Sequence, residues 1–304
     1  MYLLAGGLAS SATRQAIVDD LGLDQPIYVR YLKYLNNVAH GDLGDSYFTS
    51  KPVLGEVLQR FAATFELITF AFVLALLIAI PLGVMAAVSD RRILRRIPFV
   101  YGMVAGALPE FWWGLMLILI FFVFLGVAPA PLGRVDAFSV PDDSITGIYT
   151  LDGILTWDPQ LFLSALTHLV LPGVTLAFVY AAPLLKMTRT QMLDAMESDY
   201  ARYALACGLP RYRQHRGAMR NALLPVITLS GLVYGYLISA AVLVESVFSW
   251  GGLGQFAVAS VVNSDYLAVA GTVMFVAIFA LTVYVLMDIL HGLIDPRSRV
   301  ATET

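Results

Sequence analysis

The apolar positions along this chain fall in long blocks rather than in the narrow stripe of a soluble amphipathic helix. Such runs occupy residues 62–88, 98–126, 164–185, 222–247 and 266–290. Each reaches the roughly 20 residues a helix needs to cross a bilayer, so five crossing helices are predicted. Pro81, Pro109, Pro172 and Pro225 lie in or at the edges of these runs. Soluble helices rarely accept that, whereas neighbouring membrane helices compensate the freed carbonyls. Residues 1–60 are more polar and are broken by Gly and Pro. Short helices are predicted there at 11–21 and 27–39, the second with aromatic and Leu spacing that suits a membrane surface or a protein neighbour.

Composition agrees with the pattern. The chain is 59% hydrophobic and 13% charged, with a mean hydropathy of +0.75, about half the charge of an ordinary soluble domain. The class is an all-α polytopic membrane protein. A net charge of -3 selects no nucleic acid partner, and the lone Cys207 excludes an internal disulfide. The N-terminal stretch lacks the basic region and sustained apolar core of a signal peptide.

Charge then orients the spans. Arg91, Arg92, Arg95 and Arg96 crowd the first connection, and Lys186, Arg189, Arg202, Arg211, Arg213, Arg216 and Arg220 the third; Arg297 and Arg299 follow the last span. Connections 127–163 and 248–265 together offer only Arg134, against Asp136, Asp142, Asp143, Asp152 and Asp158. Basic connections mark the cytoplasmic side, which places the C-terminus and the third connection in the cytoplasm. Five spans then leave residues 1–60 outside, with Arg14, Arg30, Lys33, Lys51 and Arg60 and no span to export them. The expectation is that a sixth helix belongs upstream of this segment.

The third connection is more than a topological anchor. Its first half, 193–206, reads as a helix that Gly208 stops by taking positive φ. Pro210 suits the first turn of a second helix running to Asn221, and Leu224-Pro225 opens the next span. Tyr200, Tyr203, Ala204 and Leu209 would enter a partner's groove, with arginines at its rim. Alternatively the arginines only hold the topology and meet anionic head groups. The Gly-turn-Pro punctuation and the length of the insert favour the docking role.

These residues resemble a known family. Arg202-Tyr203-Ala204-x3-Gly208, followed by Asn221-Ala222-Leu223-Leu224-Pro225, is similar to the EAA loop of permease subunits in binding-protein-dependent ABC importers, specifically the oligopeptide, dipeptide and nickel branch. Supporting pieces in register are LGLDQPIYVRYLKYL with HGDLGDSY, Lys186-x2-Arg189-x2-Met192-Leu193, ESVFSWGGLG at 245–254, and Asp288 with Asp295-Pro296-Arg297. The resemblance spans about 280 residues. It implies a MetI-like transmembrane domain over 61–295, an external segment 1–60, a cytoplasmic coupling loop 187–221 and a cytoplasmic tail 296–304. The coupling residues would be Asp199, Tyr200, Arg202, Tyr203, Ala204, Gly208, Leu209, Pro210, Arg211 and Tyr212, with Asn221, Leu224 and Pro225 closing the loop. Implied partners are a homologous second permease, one or two ATPase subunits and an extracytoplasmic solute-binding protein, all working by alternating access. Peptides head the implied cargoes, beside nickel and some oligosaccharides. The chain departs from the pattern in four ways: the opening helix LRRLL…LAPGDP is absent, Arg202 replaces the family's glutamate (as is usual in this branch), Gly251 stands where Pro usually precedes GLG, and 208–225 is one residue short.

Other residues stay open between roles. Glu66, Glu110 and Glu245 lie near span ends, where intramembrane acids line a translocation path, snorkel, or bond a neighbouring helix. Tyr234 and Tyr236 sit mid-span and cannot share a face, so one is a path candidate and the other packs. Phe111-Trp112-Trp113 reads as an interfacial belt. The histidines lack metal-ligand spacing, and no cofactor is called for. No G-x-x-x-x-G-K-[ST] is present, so ATP would be hydrolysed elsewhere, and this chain is not expected to be an enzyme. No H-E-x-x-H or G-x-S-x-G favours a membrane-embedded hydrolase. A self-contained channel or secondary transporter would need buried coupling charges or an inverted repeat, and neither is evident.

Overall fold

The computed structural model describes residues 25–139 and 144–294. Among these, β pairing is limited to one isolated bridge, Asp45 to Pro52. In chain order the helices are α1 (Ile27–Ala39), α2 (Val53–Val88), α3 (Arg92–Ala105) and α4 (Glu110–Leu117), which continues in π geometry through Ile118–Phe124. Then come α5 (Tyr149–Leu155), α6 (Pro159–Glu197), α7 (Asp199–Ala206), α8 (Arg211–Phe248), α9 (Leu253–Val262) and α10 (Tyr266–Ile294). Helix 27–39 forms over the expected residues; the expected 11–21 helix lies outside the described ones. Helices α5 and α9 were not read from the pattern.

Four helices, α2, α6, α8 and α10, are long and apolar enough to cross a membrane unbroken. The expected single span 98–126 is instead a broken one. It begins earlier, at Arg92, and α3 meets α4 at a bend of 94°. Gly106 ends α3, and Pro109, in extended geometry at ψ 154, starts α4. Proline removes a donor and pushes its predecessor out of the helical region. The other spans overrun their expected limits because flanking polar residues continue the helix into the aqueous layers.

The core is built on α2, α6 and α8. Ala71, Ala75, Ala79 and Gly83 repeat every four residues along α2 and are buried. Their stripe meets Ala177, Ala181, Leu184 and Leu185 of α6 in one cluster with Val233, Leu237, Ala241 and Val244 of α8. Small residues allow close backbone approach, the main route to dispersion contacts where lipid removes the hydrophobic drive. A Cβ on Gly83 would collide with the Thr188 side chain. This packing sets the two faces of the molecule.

Candidate functional site

The basic connection is shaped by three breaks. Helix α6 runs past its apolar stretch to Glu197, and Ser198 then turns extended at φ -67, ψ 159. Its hydroxyl donates back to Ala195 O at 2.6 Å, a competitor for the helical pattern. The expected helix 193–206 is therefore two: the end of α6 and the short α7. Gly208 closes α7 at φ +72, with the Leu209 amide donating to Ala204 O at 3.1 Å. After Pro210, in extended geometry, α8 starts at Arg211. Contrary to expectation it does not end at Asn221. It runs through Pro225 to Phe248 as one rod, because neighbouring helices hold the chain where the proline deletes a hydrogen bond.

This geometry leaves α7 out on a rigid root. Met192 and Ala195 of α6, Ala218 and Ala222 of α8, and Val84, Ala87 and Val88 of α2 pack together beneath it. Above that root Tyr203 is 74% exposed and Tyr212 63%, while Tyr200, Leu205 and Leu209 are also exposed. Ala204 is half-buried. The Arg202–Asp199 pair, 3.9 Å apart and solvent-exposed, contributes little to stability. Tyr200, Asn221 and Leu224 line one groove of about 360 Å³ with Gln191 and Asp194. So the loop-closing residues and the first turn of α7 share a wall. Pro225 lies on the same rod, partly buried.

The opposite end of the bundle holds a buried polar layer. From Val84 to Glu66 along α2 is about 27 Å at roughly 1.5 Å per residue, close to a hydrocarbon core of about 30 Å. Arg134 Nη2 donates to Glu66 Oε2 at 2.5 Å and to Gly147 O at 2.7 Å. Glu66 Oε1 accepts from the Thr150 amide and hydroxyl at 2.9 and 2.7 Å. The guanidinium lies 3.9 Å from the Tyr149 ring centroid. Next to it Glu245, fully buried, accepts from Thr64 Oγ1 at 2.5 Å and from the Gln255 amide at 3.1 Å. Thr64 in turn accepts from the Leu253 amide, so α2 and α8 together cap the N-terminus of α9. Trp250, 2% exposed, donates to Ala63 O. In the loop, burial pushes the Asp152 carboxyl up, but donors from Ser144, Thr146 and Gly147 outweigh it and hold it below the usual carboxylate value.

The remaining expected residues are dispersed. Glu110 is partly exposed at the bend. Tyr234 packs edge-on against Phe72 and shares a hydrogen bond with Thr69 at 2.9 Å, whereas Tyr236 is 60% exposed. Sequence reading overlooked Arg134, Thr64 and Asp152. The available signal was charge: Arg134 is the one basic residue of 127–163, and an isolated cation among acids points to a specific partner.

A multi-pass helical bundle with a rooted, exposed loop at one end and a buried polar layer at the other is the architecture of a membrane transport component. Residues 79–300 match the family described as binding-protein-dependent transport system inner membrane component. The chain is 42% identical to the "Probable D,D-dipeptide transport system permease protein DdpB" of Escherichia coli (strain K12), over 97% of this chain and 87% of the relative. It is 38% identical to the dipeptide transport system permease protein DppB of the same strain, over 98% and 89%. It is 34% identical to the oligopeptide transport system permease protein AppB of Bacillus subtilis (strain 168), over 98% and 88%. The chain belongs to the binding-protein-dependent transport permease family and is a permease component of an ABC importer.

Proposed function

We propose that this permease forms one half of the translocation pathway of a peptide importer. A homologous second permease completes the pathway, one or two ATPase subunits receive α7, and an extracytoplasmic binding protein delivers cargo to the polar end. ATP hydrolysis belongs to the partner subunits, and the C-terminus lies in the cytoplasm. The observation that carries the reading is α7 itself: an exposed aromatic helix joined directly to α6 and α8, above a cluster in which those two helices pack with α2, so that a push on it reaches all three spans. Peptide cargo is inferred from the names of the relatives and from their similarity over nearly the whole chain. Among the path candidates, Glu110 and Tyr234 would face cargo only after the helices shift, whereas Glu66 and Glu245 would serve by holding the polar end closed.

The test is Gly208→Val. A Cβ at Gly208 meets nothing within 4 Å, so the substitution adds backbone strain alone, roughly 1–2 kcal/mol for a positive-φ residue. The chain relieves it by re-aiming α7. Uptake of a labelled dipeptide by cells carrying the partner subunits should fall steeply at unchanged membrane abundance. Normal uptake would remove the coupling role from this loop.

A further inference from the structure

Helix α3 leaves an apolar groove against α6 that no described residue fills. Ile93, Ile97, Val100 and Val104 line one wall and Phe178 the other, enclosing about 520 Å³, with Arg96 at one end. Its floor is fixed where Tyr101 Oη donates to Phe178 O at 2.8 Å. Ile93 is 80% exposed, Val100 53% and Val104 43%. At the arginine end stand Arg91, Arg92, Arg95 and Arg96, all exposed, and none of them is in an ion pair among the described residues. Asp90 is the nearest acid in sequence, which leaves a net charge of +3 over residues 90–96. Lys186 lines a second groove on the other side of α3.

We propose that this groove is a binding site for an anionic phospholipid, with an acyl chain along Ile93–Val104 and the phosphate on Arg92, Arg95 and Arg96. Arg92 and Arg96 are one turn apart and share a face. The apolar wall runs about 16 Å at roughly 1.5 Å per residue, long enough to hold a stretch of acyl chain. Basic pockets between membrane helices are the expected seats of acidic head groups. A second permease in the groove would have to supply carboxylates for the same arginines, because desolvating unpaired charge is costly. A phospholipid leaves them in the hydrated head-group layer. The inference needs only the membrane location of the chain.

The experiment is native mass spectrometry of the full chain, co-expressed with its partner subunits and titrated with phosphatidylglycerol or phosphatidylcholine. Phosphatidylglycerol should bind more tightly. The triple change Arg92→Gln, Arg95→Gln, Arg96→Gln should weaken it on the order of 100-fold, each basic residue at an acidic surface contributing about fivefold. The triple lysine variant should retain most of the affinity. Val100→Trp, which fills the groove and spares the charges, should also lose the lipid, and it carries the test if the glutamine variant does not fold. Equal binding of the two lipids would overturn the proposal, as would full phosphatidylglycerol affinity in either the glutamine or the tryptophan variant. A photo-crosslinker at Val104 that captures the second permease instead of lipid would overturn it too.

Discussion

Arg134 and Glu66 illustrate how a single pair can decide where a loop lies. Their side chains are 11% and 4% exposed, so neither charge is solvated by bulk water. A buried pair of this kind adds little over an apolar replacement, yet removing one partner strands the other. Arg134→Met alone should therefore destabilise the protein by about 3–5 kcal/mol, read as a lower unfolding temperature in detergent. The double variant Arg134→Met, Glu66→Gln should recover much of that loss. If the two single losses simply add in the double variant, the residues do not act as a pair. Gly208 is the opposite case: it has no neighbours to lose, and its importance lies wholly in backbone geometry. The sequence announced Gly208 through its Pro210 neighbour, but announced Arg134 only as an exception to a charge rule.

At the scale of elements, long helices were legible because membrane burial demands unbroken apolar length, and 27–39 because its pattern is strongly two-faced. Proline was the ambiguous letter. Pro172 is buried and Pro225 partly buried within continuous helices, while residues 106–109 are exposed and the helix stops there. Exposure alone does not decide the outcome, because Pro81 and Pro183 are exposed within the continuous helices α2 and α6; the break at 106–109 pairs the proline with Gly106, which ends α3. The short α5 was illegible for another reason, since its anchor is the carboxylate of Asp152 accepting from Ser144 and Thr146. The hydrogen-bond donors lower its folded pKa, so this anchor is fully present above the unfolded value, about 3.9, and is lost as pH falls through the lower folded one. Hydrogen-exchange protection over 144–152, taken relative to the intrinsic rate at each pH, should hold from neutral pH down to about pH 4 and fall only below. Asp152→Asn should be fast throughout. Loss of protection between pH 7 and pH 5, which spans no titration of this group, would refute the anchor.

The whole molecule is asymmetric in burial and in charge. The most apolar window of α6 and of α8 is 50% buried, against 33% for α2 and 17% for α10. Tryptophan at Leu237 or Ala241, both fully buried, should overpack the core and cut membrane abundance. At Ile278, Leu281 or Val285, all more than half exposed, it should leave abundance intact. Charge asymmetry sets the orientation. Every connection rich in arginine joins the same end of the bundle as α7, and the acidic connections join the end that holds Arg134 and Glu66. From the positive-inside bias we propose that the α7 end is cytoplasmic. Cys207 offers a native probe, because it is exposed beside Gly208. Expressed without the ATPase subunits, the chain should not react with an impermeant thiol reagent in intact cells, and should react once the membrane is permeabilised. Phe138, exposed in the acidic loop, supplies the converse. Phe138→Cys in a Cys207→Ser background should be labelled from outside in intact cells. Labelling of Cys207 in intact cells, with Phe138→Cys protected, would invert the molecule and move the ATPase contact away from α7.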